Sequence, residues 1–157
     1  MPTPQFILDL RAKVGHDMLW LPGVTAVVFD DEGRVLLVQR ADNKSWALVT
    51  GILEPGEQPA VGAIREVLAE TAVVAEAERL LSVTVLPPVE YYNGDQWQCL
   101  NVTFRCRATG GEARVNDEES INVGWFRLDA LPDISRRHQA YIKDALAPDG
   151  ATRFALS

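Results

Sequence analysis

The chain has 157 residues, of which 47% are hydrophobic and 24% charged, and its net charge is −7. This length suits a single domain over 1–157, and the composition is that of a globular protein. The negative charge argues against binding to a nucleic-acid polymer, which needs clustered lysine and arginine. No apolar run approaches the ~20 residues that span a membrane, and the first residues lack the pattern of a signal peptide. We therefore expect no membrane partner.

The two cysteines indicate a reducing compartment. Cys99 and Cys106 fall in one predicted strand, an odd number of residues apart, so their side chains should face opposite ways. A disulfide between them is not expected, and a cytoplasmic location is.

The order of predicted elements indicates one mixed α/β domain. The predicted elements are a helix over 4–14, strands over 24–29 and 35–39 joined by a turn, a strand over 46–50, a loop over 51–58, a helix over 59–71, a strand over 81–86, a hairpin over 89–108, a strand over 121–128 and a helix over 136–146. Asn93-Gly94 is a strong hairpin turn, and Ser135 can cap the last helix. Residues 1–20 form an N-terminal helical extension in this interpretation.

The helix predicted over 59–71 has two distinct faces. Val61, Ile64 and Leu68 form an apolar stripe at helical spacing, and Glu66 and Glu70 lie on the opposite face. Such a pair of glutamates is most often a solvated helix surface. The tightly shaped loop before the helix favours a metal site instead, because Mg²⁺ prefers carboxylate and carbonyl oxygens and bridges well to phosphates.

Segment 51–73 resembles the signature of the Nudix hydrolase family. That signature reads G, five residues, E, seven residues, R-E, an aliphatic residue, any residue, E-E, any residue, G and an aliphatic residue. The matching residues are Gly51, Glu57, Arg65, Glu66, Val67, Glu70 and Val73. The resemblance implies a Nudix-type α/β/α sandwich, with a mixed β-sheet, the loop and helix of 51–73 packed against it, and a C-terminal helix.

The resemblance also implies an activity. Nudix enzymes use Mg²⁺, with Mn²⁺ as a substitute, to cleave a nucleoside diphosphate linked to another group. The compact, MutT-like layout favours hydrolysis of a (d)NTP to a (d)NMP and pyrophosphate. Two alternatives stay open: an ADP-ribose or nucleotide-sugar pyrophosphatase, and a catalytically weakened domain that only binds a nucleotide. The partner is a small-molecule nucleotide in each case, and a homodimer is one option for the assembly.

The resemblance assigns roles to the matching positions. Glu70 corresponds to a metal ligand, and Glu66 to a metal ligand or water-activating base. The backbone carbonyl of Thr50 is a further expected metal ligand. Arg65 can reach back to Glu57 and hold the loop against the helix as a charge-assisted pair.

Two positions depart from the signature, while Gly51 keeps its architectural role in the backbone. Ala69 replaces the first glutamate of the E-E pair and removes one acidic group from the metal-facing side. Ala72 replaces the glycine, which costs little inside a helix but more in a tight turn. The first departure bears directly on metal binding, because it lowers the number of available carboxylates.

A distant loop supplies one more candidate. Glu119 stands six residues before Trp125, where MutT-like members of the family place a glutamate near the metal. It is a candidate metal ligand or general base, with Glu118 as the neighbouring choice. The alternative interpretation is a solvated acidic loop.

Other substrate contacts are less specific in sequence. Arg40 ends a predicted strand, where a basic residue in the family reaches phosphate; a surface arginine is the equal alternative. A base could stack on Tyr91, Tyr92 or Trp97 beside the Asn93 turn. We take Tyr92 as the candidate, with simple hairpin packing as the alternative. His16 and His138 have no partner visible in sequence and receive no catalytic role.

Overall fold

The computed structural model describes residues 3–157, which form one eight-stranded sheet and three helices. The elements in chain order are α1 (Gln5–Val14), β1 (Leu19–Phe29), β2 (Val35–Arg40), β3 (Trp46–Ala47), β4 (Val49–Ile52), α2 (Pro59–Thr71), β5 (Val74–Val85), β6 (Val89–Glu90), β7 (Gln96–Gly110), β8 (Ser120–Phe126) and α3 (Arg136–Leu146). The helices predicted over 59–71 and 136–146 are confirmed, and the Ser135 hydroxyl caps α3 by accepting from the His138 amide at 3.2 Å.

The sheet is mixed, as predicted. Its main strand order is β3-β2-β1-β7-β5, with β4 paired to β1, β6 to β7 and β8 to β2. The two long central strands, β1 and β7, run parallel from the Leu19–Trp97 pair to the Phe29–Arg107 pair. All other strand pairs are antiparallel.

Strand β5 is longer than the sequence predicted. The prediction began at residue 81, whereas the strand begins at Val74. Its first half is rich in alanine and glutamate, residues that are depleted in strands. Pairing with β7 overrides that local preference, and exposed Glu76 meets Arg107 across the pair at 3.1 Å.

The two long helices cover opposite faces of the sheet, which makes the α/β/α sandwich. Alternate residues of β1 point to opposite sides. Val24, Ala26 and Val28 share a core with Ala63 and Val67 of α2. Val27 and Phe29 share a second core with Tyr141, Ile142 and Ala145 of α3.

The N-terminal extension is helical and docks at one end of the sheet. Ile7 of α1 is buried against Leu19 and Leu21. Arg11 donates hydrogen bonds to the carbonyls of Asp17 and Gln96, each at 2.6 Å. The helix is thereby fixed to the start of β7.

The acidic face of α2 is its buried face. Val61 is 61% exposed and Leu68 is 48% exposed, whereas Glu66 is 1% and Glu70 is 5% exposed. Ala63 and Val67 pack in the core against the sheet. The glutamates lie opposite the apolar stripe, as predicted, and it is the stripe that is largely exposed.

Both cysteines are buried and free, which confirms that they form no disulfide. Within residues 3–157, no helix is long and apolar enough to cross a membrane.

Candidate active site

A salt bridge closes the loop that precedes α2. Arg65 donates from Nε to Glu57 Oε1 at 2.5 Å and from Nη2 to Glu57 Oε2 at 2.9 Å. The amide of Glu54 donates to the same carboxylate at 3.1 Å. The arginine lowers the pKa of Glu57, and the pKa of Arg65 is raised in turn. The pairing predicted from sequence is confirmed.

Two glycines let the loop and the helix approach closely. A Cβ on Gly51 would lie 2.3 Å from Glu66 Cδ, and one on Gly62 would lie 2.3 Å from Leu53 Cδ2. Neither distance is tolerable for real atoms. Gly51 is therefore required because the Glu66 side chain lies directly over it.

Glu66 presents one uncommitted oxygen in a buried place. Its Oε1 accepts from Arg65 Nη1 at 2.7 Å, but its Oε2 is buried and has no hydrogen-bond partner among the described residues. Burial raises the pKa of Glu66 to about 7, against the lowering effect of Arg65, and the charge of Glu119 adds to the rise. A buried acceptor without a donor is costly, and it indicates a missing cationic partner.

Three further carboxylates meet beside α2. Oxygens of Glu70, Asp117 and Glu119 lie within 4.8 Å of one another. Burial raises the pKa of Glu70 to about 8, and the charges of Glu66, Asp117 and Glu119 raise it further. The sequence predicted Glu70 and Glu119 here but missed Asp117, and the neighbouring Glu118 is exposed.

The loop after β7 reaches the cluster because it caps the end of α2. The Arg114 amide donates to the Thr71 carbonyl at 2.9 Å, and Asn116 donates from its amide to Glu70 O and from Nδ2 to Leu68 O. The bonds to Glu70 and Thr71 satisfy carbonyls of the last helical turn that have no partner within the helix, and the Leu68 carbonyl also accepts from the Ala72 amide at 3.0 Å. The sequence signal for this turn was the pair Asn116 and Asp117, since both residue types favour local turns of this kind.

Asp117 supplies a carboxylate near the position where Ala69 replaces a glutamate of the signature. Ala69 is half-buried on α2 and offers no ligand atom. Asp117 brings another carboxylate to Glu70 from a different segment of the chain. The cluster thus contains three acids in spite of the substitution.

The donor set fits a hard divalent cation. The groups are carboxylate oxygens, one of them buried without a donor, and the mutual repulsion of clustered carboxylates is relieved by bound positive charge. The expected backbone ligand, Thr50, lies in β4 opposite Thr25 and lines the same cavity as Glu66 and Glu119. No sulfur or imidazole ligand belongs to this group of residues, which suits Mg²⁺ or Mn²⁺.

A cavity of about 540 Å³ extends from the carboxylates. Arg40 lies on its wall and forms a two-point ion pair with Asp42, at 3.0 and 2.7 Å. Asp42 raises the pKa of Arg40, and the charges of Glu119 and Glu70 also raise it. Arg40 and Glu119 thus line the same cavity, and the charge of the acidic cluster acts on the guanidinium.

The aromatic candidate chosen from sequence is misplaced. Tyr92 is fully exposed at the hairpin turn and does not line the cavity. Its neighbour Tyr91 does, and it stacks on Trp97 with ring centroids 6.5 Å apart. Adjacent residues point in different directions at a turn, so sequence could not choose between the two tyrosines.

Comparison with known proteins identifies the family. The family model described as "NUDIX domain" matches residues 19–146. The chain belongs to the Nudix family. Nudix hydrolases act on phosphoanhydride bonds and generally use a divalent metal, so this chain is a hydrolase of that class.

Individual relatives agree with this assignment. A "MutT-like protein" of Streptomyces ambofaciens is 34% identical over 129 residues, covering 82% of this chain and 77% of that protein. The mouse "8-oxo-dGDP phosphatase NUDT18" is 31% identical over 141 residues. The match covers 86% of this chain but only 39% of the mouse protein. A crystal structure of an ADP-ribose pyrophosphatase from Streptococcus suis has a TM-score of 0.66 at 23% identity, covering 86% of this chain and 98% of that one. The last comparison shows the shared fold.

Proposed function

We propose that this Nudix hydrolase is a Mg²⁺-dependent pyrophosphohydrolase that converts a (d)NTP to a (d)NMP and pyrophosphate. The observation that carries the proposal is the meeting of carboxylates at one end of a 540 Å³ cavity: Glu70, Asp117 and Glu119 within 4.8 Å, beside the uncommitted oxygen of Glu66. The names of the Streptomyces and mouse relatives support a MutT-like protein acting on a nucleotide.

The metal would be held by side chains from two segments and one backbone oxygen. Glu66, Glu70, Asp117 and Glu119 would supply carboxylate oxygens, and Thr50 its carbonyl. When bound, Mg²⁺ would neutralise phosphate charge and make a bound water more acidic.

The two candidates for the general base, Glu66 and Glu119, differ in their access to solvent. Glu66 is enclosed, held by Arg65 and fixed over Gly51, which suits a ligand of constant position. Glu119 is exposed at the cavity, so it can take a proton from water and release it to solvent. We therefore assign the general base to Glu119.

Water is the only other reactant that the reaction needs. The oxygen of water bonds to the α- or β-phosphorus, and Glu119 accepts its proton. The P–O bond between these two phosphates breaks, and the leaving phosphate keeps the bridging oxygen and the electron pair, which gives a (d)NMP and pyrophosphate. Arg40 would contact a phosphate oxygen and hold the chain for this attack.

The test is product release from a panel of NTPs, dNTPs, ADP-ribose, NADH and dinucleoside polyphosphates, with Mg²⁺ and with Mn²⁺. Glu70→Gln should lose turnover, because it removes a buried carboxylate from the cluster. Glu118→Gln is the matched control and should keep wild-type turnover, since Glu118 is exposed outside the cluster.

The products of this panel distinguish the proposed activity from the two alternative functions. Turnover of triphosphates with release of pyrophosphate supports the proposal, and turnover confined to ADP-ribose would assign the alternative substrate class. Thermal stabilisation by nucleotides without product, at high Mg²⁺ or Mn²⁺, would make the chain a binding module. In that case Ala69→Glu, which restores a carboxylate, should bring turnover back.

A further inference from the structure

One buried side chain in the cavity wall has an uncommitted donor. His138 is 6% exposed, and its Nδ1 accepts a hydrogen bond from the Leu48 amide at 3.2 Å. Burial lowers the pKa of His138 to about 4, and the charges of Arg137 and Arg40 contribute. The ring is therefore neutral near pH 7. A neutral imidazole that accepts at Nδ1 must carry its proton on Nε2.

The Nε2–H group of His138 is uncommitted. It makes no hydrogen bond to any residue in the described part of the chain, and it is not one of the enclosed polar atoms found there without a partner. His138 belongs to the cavity wall, so Nε2 is the donor that this residue has available for a molecule in the cavity. Other polar groups nearby are already committed: Asn101 donates to Thr103 at 3.0 Å and accepts from Thr25 at 3.2 Å.

A second donor stands beside the first. Arg137 is exposed, lines the same cavity as His138 and Cys99, and forms no ion pair within residues 3–157. Its charge has a lowering effect on the pKa of both His138 and the Cys99 thiol. Apolar side chains, among them Leu21 and Trp97, complete the walls.

We propose that Arg137 and His138 form a base-recognition subsite that reads the adjacent O6 and N7 acceptors of a keto purine, guanine or hypoxanthine. This inference rests on the proposed function, which places a nucleotide in the cavity with its phosphates at the carboxylates. Arginine donors match the O6/N7 edge. Adenine presents an amino group in place of O6, so a donor would face a donor.

The burial of His138 favours a base over a phosphate at this subsite. A neutral N–H between apolar walls matches an uncharged acceptor, whereas burying another anion there would carry a large desolvation cost. The flat, apolar faces of a purine also suit the walls at Leu21 and Trp97. A phosphate subsite is the competing outcome of the experiment.

The experiment compares kcat/KM for GTP, ITP and ATP in the wild type and three variants. His138→Asn keeps an acceptor for the Leu48 amide but lacks the Nε2 donor. Arg137→Ala removes the second donor from an exposed position, where the fold should be unaffected. Arg136→Ala is the matched control, because Arg136 is its exposed neighbour and does not line the cavity.

The wild type should favour GTP and ITP over ATP by at least tenfold. His138→Asn and Arg137→Ala should each lower kcat/KM for GTP and ITP by about 10- to 100-fold and change that for ATP less than threefold, in keeping with the discrimination of a paired base edge. Arg136→Ala should match the wild type. Equal wild-type rates for all three nucleotides would overturn the subsite while leaving the proposed function intact.

Calorimetric titration with GMP, IMP and AMP gives a readout independent of turnover. Tighter binding of GMP and IMP than AMP, lost in both variants, supports the subsite even if no triphosphate is hydrolysed. Equal weakening of all three monophosphates in the variants would instead assign Arg137 and His138 to phosphate and overturn base recognition.

Discussion

Replacing Glu70 with glutamine should make the stability of the protein less dependent on pH and on Mg²⁺. In the folded protein the pKa of Glu70 rises from 4.5 to about 8, first through burial and then through the charges of Glu66, Asp117 and Glu119. The folded state therefore keeps a proton that the unfolded chain releases above pH 4.5. Without metal, the free energy of unfolding must fall as pH rises between about 4.5 and 8.

The size of this effect follows from the pKa difference. A rise from 4.5 to about 8 corresponds to roughly 5 kcal/mol, at about 1.4 kcal/mol for each pKa unit. Part of this energy belongs to neighbouring carboxylates that ionise together with Glu70. We therefore expect the wild type to lose about 2–5 kcal/mol more than Glu70→Gln between pH 5 and pH 9 in EDTA; the variant keeps a smaller loss, because burial also raises the pKa of Glu66 to about 7.

Urea unfolding followed by tryptophan fluorescence, at pH 5, 7 and 9, measures this difference. Mg²⁺ should restore wild-type stability at pH 9, because it binds the ionised cluster of the folded state. It should do little for Glu70→Gln, and Glu118→Gln should behave as the wild type. Equal loss of stability in the wild type and Glu70→Gln would refute the argument that the buried carboxylate controls this pH dependence.

Three further substitutions test the architecture around α2. Ala72 ends the helix at a left-handed φ of 61°; Ala72→Gly should relieve that strain, stabilise the fold by about 0.5–1 kcal/mol and raise Tm by ~1–4 °C in calorimetry. Gly51→Ala should destabilise by about 1–3 kcal/mol in urea unfolding and lower kcat at least tenfold, because the new Cβ displaces Glu66. Arg65→Lys loses the two-point pair with Glu57 and should lower the free energy of unfolding by about 1–2 kcal/mol. For each variant, an unchanged midpoint of urea unfolding would contradict the argument made for that residue.

Sequence predicted the parts of the site that depend on local spacing. The contact between Arg65 and Glu57, and the position of Glu66 and Glu70 on one helical face, follow from residues within one loop and one helix. Which face of that helix is buried did not follow from the spacing. The glutamates could equally have formed a solvated surface, because buried carboxylates are rare and are tolerated where function needs them.

The rest of the site depends on contacts between distant segments. Asp117 reaches the cluster only because its loop caps the end of α2, a contact without a fixed sequence spacing. His138 could be assigned as a helix residue, but its partner, the Leu48 amide, is 90 positions away. Sequence left open whether Ala72 lies inside a helix or in a tight turn, and its left-handed φ shows the second, more costly case.

The parallel pairing of β1 with β7 has a consequence for synthesis of the chain. Each residue of β1 pairs with one 78 positions later, so this edge of β1 has no partner until residues 97–107 have left the ribosome. During that interval a strand that is apolar over most of its length is exposed to other nascent chains. Because Thr25 and Gly51 of the cavity wall depend on β1, nucleotide binding should appear only after β7 is released, and slow translation before residue 97 should favour aggregation.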